Sequence, residues 1–324
     1  MIVLGVCLGV LGAYIGTSVL LTRFPLLLHK KKKQAFVCKH ISHRGGAGEN
    51  LENTITAFKH AIEHGTEMLE IDVNLTADGQ VVVSHDNELV RTTGHGSMIS
   101  DFAYEELPCL LESLDVTFDY GKTVTCCNED RKIPLLRTLF EQFPTIPMNI
   151  DLKVYNEELI DKTIDLIKEF KREDMVVLGN FSSKTVNYVH KKAPEIPILF
   201  SIQRTISLVV MFYLGILPFV PLKEDFLEIP YPRLILRHPT AFQSYRTIIK
   251  IADWLLMSPV LFRHLQRRGL QVYIFVLNTD DDFEYCLNKL GATGVMTDYP
   301  TKLSAFLKRQ ADETEPILPS KASD

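Results

Sequence analysis

Cysteine is scarce in this chain, and its six cysteines form no recognisable pattern. A small secreted domain that relies on disulfides needs a much higher density of cysteine, and a structural zinc site needs cysteine pairs at short, fixed spacings. Neither class of protein fits, so we expect reduced thiols at all six positions. These are Cys7, Cys38, Cys109, Cys126, Cys127 and Cys286.

Basic charge is scarce as well. The 324 residues include 35 lysines and arginines against 40 aspartates and glutamates, which gives a net charge of -5. The one concentrated basic run is at residues 30–33, and no G-x-G-x-x-G or Walker loop opens a helix. The sequence therefore gives no support for a nucleic-acid partner, and it disfavours a nucleotide-binding domain.

The chain has one apolar run of membrane-spanning length, residues 2–21. About 20 apolar residues is the length that a helix needs to cross a bilayer. A cleaved signal peptide is the alternative, but no positive charge precedes the run and no convincing cleavage site follows it. We expect an uncleaved anchor over residues 1–22 and a basic linker over residues 23–38.

The lysines at residues 30–33 predict the orientation of this anchor. By the positive-inside rule they hold the C-terminal side of the helix in the cytosol. The expected location is an internal membrane such as the endoplasmic reticulum, with the rest of the chain in the cytosol.

Glycines recur on one face of the predicted anchor helix. G-x-x-x-G spacing allows two membrane helices to pack closely, so a homodimer through this face is one interpretation. The other is a stripe of small residues that has no partner. The residues are Gly5, Gly9, Gly12 and Gly16.

Residues 39–309 alternate between strand and helix patterns. A long β-α-β series produces a parallel sheet, either a closed barrel or an open doubly wound sheet. The predicted strands are residues 36–42, 68–73, 81–84, 148–154, 176–178, 196–200, 272–277 and 294–297. The predicted helices include residues 53–64, 157–170, 184–192, 280–290 and 300–308.

Three stretches depart from this alternation. Residues 86–146 are rich in turns and predict an insertion after the third strand. Residues 206–221 are strongly apolar but too short to cross a bilayer, so they are either a buried helix or, as we favour, a segment that contacts the membrane beside the site. Residues 310–324 form a polar tail that we expect to be disordered.

Carboxylates lie on two of the predicted strands where the chemistry of a parallel barrel is found. Glu70 and Asp72 are two residues apart, so both point toward the barrel axis, and the same spacing holds for Asp151 and Lys153. Three inward carboxylates repel one another in a low-dielectric site. A hard divalent cation, Mg²⁺ or Ca²⁺, would relieve that repulsion.

Two histidines and two cations complete the candidate site. His43 and His85 can exchange protons near neutral pH, while Arg44 and Lys153 can hold an anion. A single histidine at a strand end is more often structural, and Glu-x-Asp is commonly a solvated pair. Their recurrence on successive strand ends instead favours a catalytic site, and the combination suits phosphoryl transfer better than acyl or hydride chemistry.

These motifs resemble those of the glycerophosphodiester phosphodiesterases, from about residue 40 to residue 307. The resemblance implies a TIM (β/α)8 barrel with an insertion after the third strand. The matching motifs are His-Arg-Gly at 43–45, Glu-Asn-Thr at 52–54, Glu-x-Asp at 70–72, Ser-His-Asp at 84–86, carboxylate-x-Lys at 151–153 and Thr-Asp-Tyr-Pro at 297–300.

The resemblance also implies a role for each matching residue. By position these are His43 and His85 as general base and acid, Glu70, Asp72 and Asp151 as metal ligands, Arg44 and Lys153 as phosphate ligands, and Glu52 and Asn278 as secondary residues near the site. The chain departs from the family pattern where Asp151 replaces the usual glutamate and where Phe275 replaces a frequent tryptophan.

The anchor, the lysine run and residues 45–53 resemble the vertebrate membrane-bound subgroup of this family, which acts as lysophospholipase D. The implied substrates are lysophosphatidylcholine, lysophosphatidylethanolamine and N-acyl lysophosphatidylethanolamine, and the products are lysophosphatidic acid and a head-group alcohol. Two alternatives are a hydrolase of soluble glycerophosphodiesters that yields glycerol 3-phosphate, and a non-catalytic lipid-binding protein.

Overall fold

The computed structural model describes residues 1–126, 130–237 and 243–314, in which an N-terminal helix is followed by alternating strands and helices. The strands are β1 (His40–Ser42), β2 (Met68–Leu75), β3 (Val81–Val83), β4 (Ser113–Asp115), β5 (Thr123–Thr125), β6 (Met148–Leu152), β7 (Val176–Gly179), β8 (Phe226–Pro230), β9 (Gln271–Phe275) and β10 (Gly294–Thr297). The helices are α1 (Ile2–Arg23), α2 (Ile55–Glu63), α3 (Val90–Thr93), α4 (Leu136–Gln142), α5 (Glu157–Glu169), α6 (Ser183–Lys192), α7 (Ile202–Tyr213), α8 (Pro232–Arg237), α9 (Arg246–Leu256), α10 (Pro259–Arg267), α11 (Asp280–Glu284) and α12 (Pro300–Thr314).

Seven parallel strands form the barrel, in the order β7-β6-β2-β1-β10-β9-β8. The gap between the two ends of this sheet is bridged by a short extended segment. Ile198 pairs with Leu178 of β7, and Leu199 pairs with Phe226 of β8, both in parallel register. The predicted TIM barrel is confirmed, with residues 198–199 in place of a full eighth strand.

The third predicted strand needs correction. The predicted strand at 81–84 pairs antiparallel with β2, Val83 opposite Val73, and lies outside the ring. Only five residues join β2 to β3, and a parallel crossover needs a dozen or more. The insertion therefore follows the third strand of the chain, but that strand is not a barrel strand.

Strand β8 was not predicted. Its sequence, Phe-Leu-Glu-Ile-Pro, carries a charged residue at its centre and a proline at its end, and both features are uncommon in strands. Pairing with β9 in full parallel register makes it a strand. Its central residue, Glu228, consequently faces the active-site cavity, which no sequence pattern indicated.

The helices around the barrel bury one apolar side each, as α5 illustrates. Asn156 caps this helix, its side-chain oxygen accepting hydrogen bonds from two backbone N–H groups of the first turn. Leu159, Ile160, Ile164 and Ile167 are buried against the barrel. Each contributes about 1.5–3 kcal/mol relative to an exposed position, and together they pack the helix into the apolar cluster that also contains residues of β6 and β7.

The described residues of the insertion before α4 fold over the mouth of the barrel, whereas α4 itself packs into the barrel core. The insertion contains the antiparallel pair β4 and β5 and has a small apolar core of its own, which includes Leu89, Ile99 and Leu110. Between these two strands, Phe118 reaches His43 and Asp119 accepts a hydrogen bond from the hydroxyl of Tyr299. The insertion is thus tied to the end of the last barrel strand.

The N-terminal helix α1 is long and apolar enough to cross a bilayer. Its 22 residues correspond to about 33 Å, and only Ser18 and Leu21 are buried against the rest of the chain. The glycine face of α1 touches no described residue, so the homodimer remains a prediction. At the other end of the chain, α12 continues to Thr314, and residues 315–324 of the predicted tail lie outside the described residues.

Candidate active site

The carboxyl ends of the barrel strands open into a cavity of about 520 Å³. All seven residues predicted as catalytic, metal or phosphate ligands line it. They are His43, Arg44, Glu70, Asp72, His85, Asp151 and Lys153. The two secondary residues lie one contact away: Glu52 accepts a hydrogen bond from Arg44, and Asn278 donates one to Asp298 beside His43.

Strand pairing brings the carboxylates together. Strands β2 and β6 are parallel neighbours, with Asp72 opposite Asp151 and Glu70 opposite Asn149. Alternation along each strand then turns these side chains into the barrel rather than toward the helices. Asp72 is fully buried, and Glu70 is nearly so.

The turn after β1 places His43 and Arg44. Arg44 has a positive φ of 50°, a conformation that costs a non-glycine residue about 1–2 kcal/mol. Its backbone N–H donates to Glu70 Oε2 at 2.9 Å, which helps to hold this geometry. Gly45 also has a positive φ, and a Cβ there would lie 2.7 Å from the ring of Phe58. The His-Arg-Gly motif is therefore required by the backbone as well as by the chemistry.

His43 is one half of a histidine–aspartate pair. Its Nδ1–H donates to Asp298 Oδ1 at 2.7 Å, and Asp298 Oδ2 accepts from Asn278 Nδ2 at 3.0 Å. Burial, together with the neighbouring Arg44, lowers the pKa of His43, and Asp298 offsets only part of that effect. The imidazole is thus neutral at pH 7, with Nε2 available to accept a proton.

His85 forms a second pair of the same kind. Its Nδ1–H donates to Asp86 Oδ1 at 2.6 Å, and Arg91 Nε donates to the other oxygen of Asp86. Burial alone would raise the pKa of Asp86, but the hydrogen bonds from His85 and Arg91 outweigh it and hold the pKa at about 2. Arg91 also forms a two-point ion pair with Glu52, which in turn contacts Arg44. Glu52 therefore links Arg91, which holds Asp86 beside His85, to Arg44, which follows His43 in the chain.

The carboxylates of the cavity outnumber its permanent cations. Glu70, Asp72, Asp151 and Glu228 face Arg44 and Lys153. Burial and the adjacent Asp72 raise the pKa of Glu70 well above its usual range. Burial and Asp151 raise the pKa of Glu228 to about 8. With two permanent cations and no further ion, the protonated form of Glu228 is favoured, and a bound cation would favour the ionised form instead.

This donor set suits a hard divalent cation, which would neutralise the excess carboxylate charge. As placed, however, the ammonium of Lys153 occupies the position between the carboxylates, 2.7 Å from Asp72 Oδ1 and 2.6 Å from Asp151 Oδ2. Among the described residues no three carboxylate, histidine or cysteine groups lie close enough to share an ion. Glu70, Asp72 and Asp151 thus line one cavity, but they would bind an ion only after Lys153 withdraws.

Four residues of the site were not assigned a role from sequence. Asp86 and Asp298 follow a predicted strand end directly, within motifs that were noted, and this position could have identified them. Arg91 lies on a short helix of the insertion, and Glu228 on the strand that was missed. Only the folded chain brings Glu228 to the cavity and Arg91 to Asp86 and Glu52 beside it.

Asp298→Asn tests whether Asp298 positions His43. The amide keeps the shape of the side chain but removes the negative charge that favours the imidazolium form. We expect kcat/KM to fall by on the order of 10² or more. We also expect the acid limb of the pH profile to move to lower pH. Removing a charge that raises the pKa of His43 lowers that pKa further, so the neutral base persists at more acidic pH. An acid limb that stays in place or moves upward would show that Asp298 does not act through His43.

Comparisons with known proteins show the family of this chain. Residues 43–302 match the model of the glycerophosphoryl diester phosphodiesterase family. The chain is 52% identical over 303 residues to human lysophospholipase D GDPD1, which covers 93% of this chain and 96% of that protein. It is 38% identical over 316 residues to mouse lysophospholipase D GDPD3, which covers 97% of this chain and 95% of that protein.

Solved structures show the same barrel. A putative glycerophosphoryl diester phosphodiesterase from Silicibacter pomeroyi superposes with a TM-score of 0.61 at 18% identity, covering 89% of this chain and 98% of that chain. An Oleispira antarctica phosphodiesterase in complex with the product sn-glycerol-3-phosphate superposes with a TM-score of 0.57 at 22% identity, covering 85% and 98%. At these identities the likeness concerns the fold alone.

Proposed function

Because the chain belongs to the glycerophosphoryl diester phosphodiesterase family and is a phosphoric diester hydrolase, we propose that its substrates are lysophospholipids. The products would be lysophosphatidic acid and the head-group alcohol. Relatives that match this chain over nearly its full length are lysophospholipases D. The observation that carries the proposal is the composition of the cavity, which has a polar end and an apolar end.

The apolar end of the cavity fits an acyl chain. Beyond the histidines and carboxylates, the wall is formed by Ile206, Val209 and Val210 of α7 and by Leu255 and Leu256 of α9. A soluble glycerophosphodiester has no group that would occupy this region. One acyl chain on the glycerol would fill it and displace water from the apolar surface, which is favourable.

The segment at residues 206–221 supports the same proposal. Leu208 and Val209 of α7 are buried, whereas Ile206, Val210 and Leu214 are at least half exposed. A helix that only covered the barrel would present polar residues to solvent on this side. We therefore keep the prediction that the segment contacts the bilayer, with the catalytic domain on the cytosolic face of an internal membrane.

The phosphodiester would bind between the two histidines. Arg44 and Lys153 offer donors to its non-bridging oxygens, and both lie beside the carboxylate of Asp72 in the cavity. Glu70, Asp72 and Asp151 would hold a Mg²⁺ or Ca²⁺ ion, which would polarise a phosphoryl oxygen and stabilise the charge that develops there. Lys153 would then exchange its carboxylate partners for the substrate phosphate.

The reaction would use the free 2-hydroxyl of the lysolipid. His43 Nε2 accepts the proton of this hydroxyl as the oxygen attacks phosphorus, and the bond from phosphorus to the head-group oxygen breaks. His85 donates the proton that the departing alcohol needs. Water then opens the resulting 2,3-cyclic phosphate, with the two histidines in reversed roles, to give lysophosphatidic acid. A diacyl lipid has no free 2-hydroxyl and could not react by this route.

A substrate panel tests the proposal. We expect lysophosphatidylcholine to be cleaved, and its 2-O-methyl ether to be cleaved more slowly by on the order of 10³ or more, because the attacking hydroxyl is blocked and its effective concentration is lost. Glycerophosphocholine has the same hydroxyl but no acyl chain, so we expect a lower kcat/KM for it. Released choline is the readout. Equal rates for the lysolipid and its 2-O-methyl ether would contradict the cyclic route, and a preference for glycerophosphocholine would favour the soluble-substrate alternative.

A further inference from the structure

Helix α9 is apolar on two sides. Ala252, Leu255 and Leu256 line the catalytic cavity. On the outward side, Ile251 and Trp254 are 52% and 70% exposed. A helix on a water-facing surface is polar on its outward side, and large exposed apolar patches mark interaction surfaces. The exposed Lys250 lies beside this patch, but its long side chain can carry the charge away to the head-group level, so the outward side of α9 fits an apolar surrounding.

Helices α7 and α9 meet at their C-terminal ends. The ring of Tyr213 stacks on Trp254 with 5.7 Å between the ring centroids, and its hydroxyl donates to the backbone oxygen of Leu255 at 3.1 Å. The apolar end of the cavity lies between the two helices. Whatever surrounds the end of α7 therefore also surrounds Trp254.

The end of α7 is docked on the middle of helix α1. Tyr14 donates a hydrogen bond to the backbone oxygen of Leu214, and Ser18 donates one to the backbone oxygen of Gly215 at 2.8 Å. The rings of Tyr14 and Phe219 stack with their centroids 6.1 Å apart. The two hydroxyl groups donate to backbone carbonyl oxygens that accept no hydrogen bond from a helix. Backbone polar groups in hydrocarbon need such partners, because no water is present there.

Helix α1 gives the depth of this contact. Tyr14 lies nine residues before Arg23 and Ser18 five residues before it, which correspond to about 13 Å and about 7 Å along the helix axis. Arg267 donates to the backbone oxygen of Arg23 at 2.7 Å, and Arg263 lies on the same wall. The arginines thus mark the level of the head groups. The contact of Tyr14 with Leu214 lies on the hydrocarbon side of that level, about 13 Å away along α1. Half of the hydrocarbon core of a bilayer is about 15 Å thick, so this contact lies deep within one leaflet.

We infer that α7 and α9 enter the bilayer beside α1 and form a lateral entrance through which one acyl chain passes from the hydrocarbon into the catalytic cavity. The identity of that chain rests on the proposed function, and the depth rests on α1 crossing the membrane. A lysolipid would reach the histidines without exposing its chain to water. The head group would stay at the level of Arg23 and Arg267 until it enters the cavity.

Trp254 is the only tryptophan of the chain, so intrinsic fluorescence reports on α9 alone. The full-length protein is reconstituted in phosphatidylcholine vesicles whose acyl chains carry bromine. We expect bromolipids to quench at least half of the emission, and aqueous iodide to quench little of it. The matched control is Trp254→Phe combined with Leu111→Trp, which moves the indole to an exposed apolar position of the insertion. In the control we expect iodide to quench and bromolipids not to quench. Iodide quenching of Trp254 equal to that of the control overturns the inference.

A kinetic measurement tests the entrance itself. We expect Ile251→Glu and Trp254→Glu to lower kcat/KM at least tenfold for long-chain lysophosphatidylcholine in vesicles, and to leave glycerophosphocholine hydrolysis within twofold. Leu111→Glu, the control, should change neither. Equal losses on both substrates, or no loss on either, would overturn the entrance. The fluorescence result does not depend on which substrate is cleaved, so a failure of the proposed function is distinguishable from a failure of this inference.

Discussion

His43→Gln is expected to lower kcat/KM for lysolipid hydrolysis by on the order of 10² to 10⁴. Glutamine fills much of the same volume and can still hydrogen-bond to Asp298, but it cannot accept a proton. The pKa of His43 is lowered by burial and by Arg44, so the wild-type imidazole is neutral and ready to act as a base at pH 7. The loss should therefore appear mainly in kcat.

His85→Gln separates the acid from the base. With lysophosphatidylcholine we expect a loss of similar size. With the p-nitrophenyl ester of lysophosphatidic acid, the leaving group needs no proton, so the loss in His85→Gln should shrink to less than tenfold while the loss in His43→Gln persists. His190→Gln, a histidine of α6 outside the cavity lining, is the matched control and should leave both rates unchanged. If His43→Gln is the variant rescued by the activated ester, the two roles are reversed.

Removal of divalent ions is expected to lower the rate by about 10³, since a bound cation contributes several kcal/mol of charge stabilisation in phosphoryl transfer. Four carboxyl groups crowd this cavity with two permanent cations, which raises the pKa of Glu70 and of Glu228, and an ion would stabilise their ionised forms. Activity after dialysis against a chelator should return when Mg²⁺ or Ca²⁺ is added. Full activity in the chelated protein would contradict the proposal.

Two variants identify the ligands without relying on activity. Asp72→Asn should abolish ion binding in titration calorimetry, whereas Asp165→Asn, an exposed carboxylate of α5, should not change it. Lys153→Met should tighten ion binding, because the ammonium between Asp72 and Asp151 competes with the ion. The same variant should lower kcat/KM, because the substrate phosphate loses a donor. Weaker ion binding in Lys153→Met would mean that the carboxylates need the ammonium rather than an ion.

The barrel and the main residues of the site could be predicted from sequence because both are local properties. Alternation on a strand decides which side chains face inward, and Glu70 and Asp72 follow directly from that rule. The end of a barrel strand is also the place of chemistry, which selects His43 and His85. The direction in which β3 pairs with β2 depends on the length of their connection instead of on alternation. The turn between β2 and β3 is too short for a parallel crossover, so its length alone indicates the antiparallel pair that the fold shows.

Other features depend on residues far apart in the chain. Asp298 meets His43 across 255 positions, and Arg91 meets Glu52 across 39, so no local spacing indicates either contact. β8 is a strand because β9 pairs with it, and Glu228 reaches the cavity for that reason. Lys153 is expected to bind phosphate, and the fold adds that its ammonium lies between two carboxylates, which no sequence pattern indicated.

The barrel, the apolar N-terminal helix and the set of reactive groups follow from the amino-acid sequence alone, because strand periodicity, run length and side-chain chemistry are properties of neighbouring residues. Only the tertiary structure decided how those groups are held and what surrounds them. The support of each histidine, the position of Lys153 and the alignment of α7 and α9 with α1 arise from contacts between distant segments. Such contacts form when the burial of apolar surface brings the segments together, and that burial is a property of the whole fold.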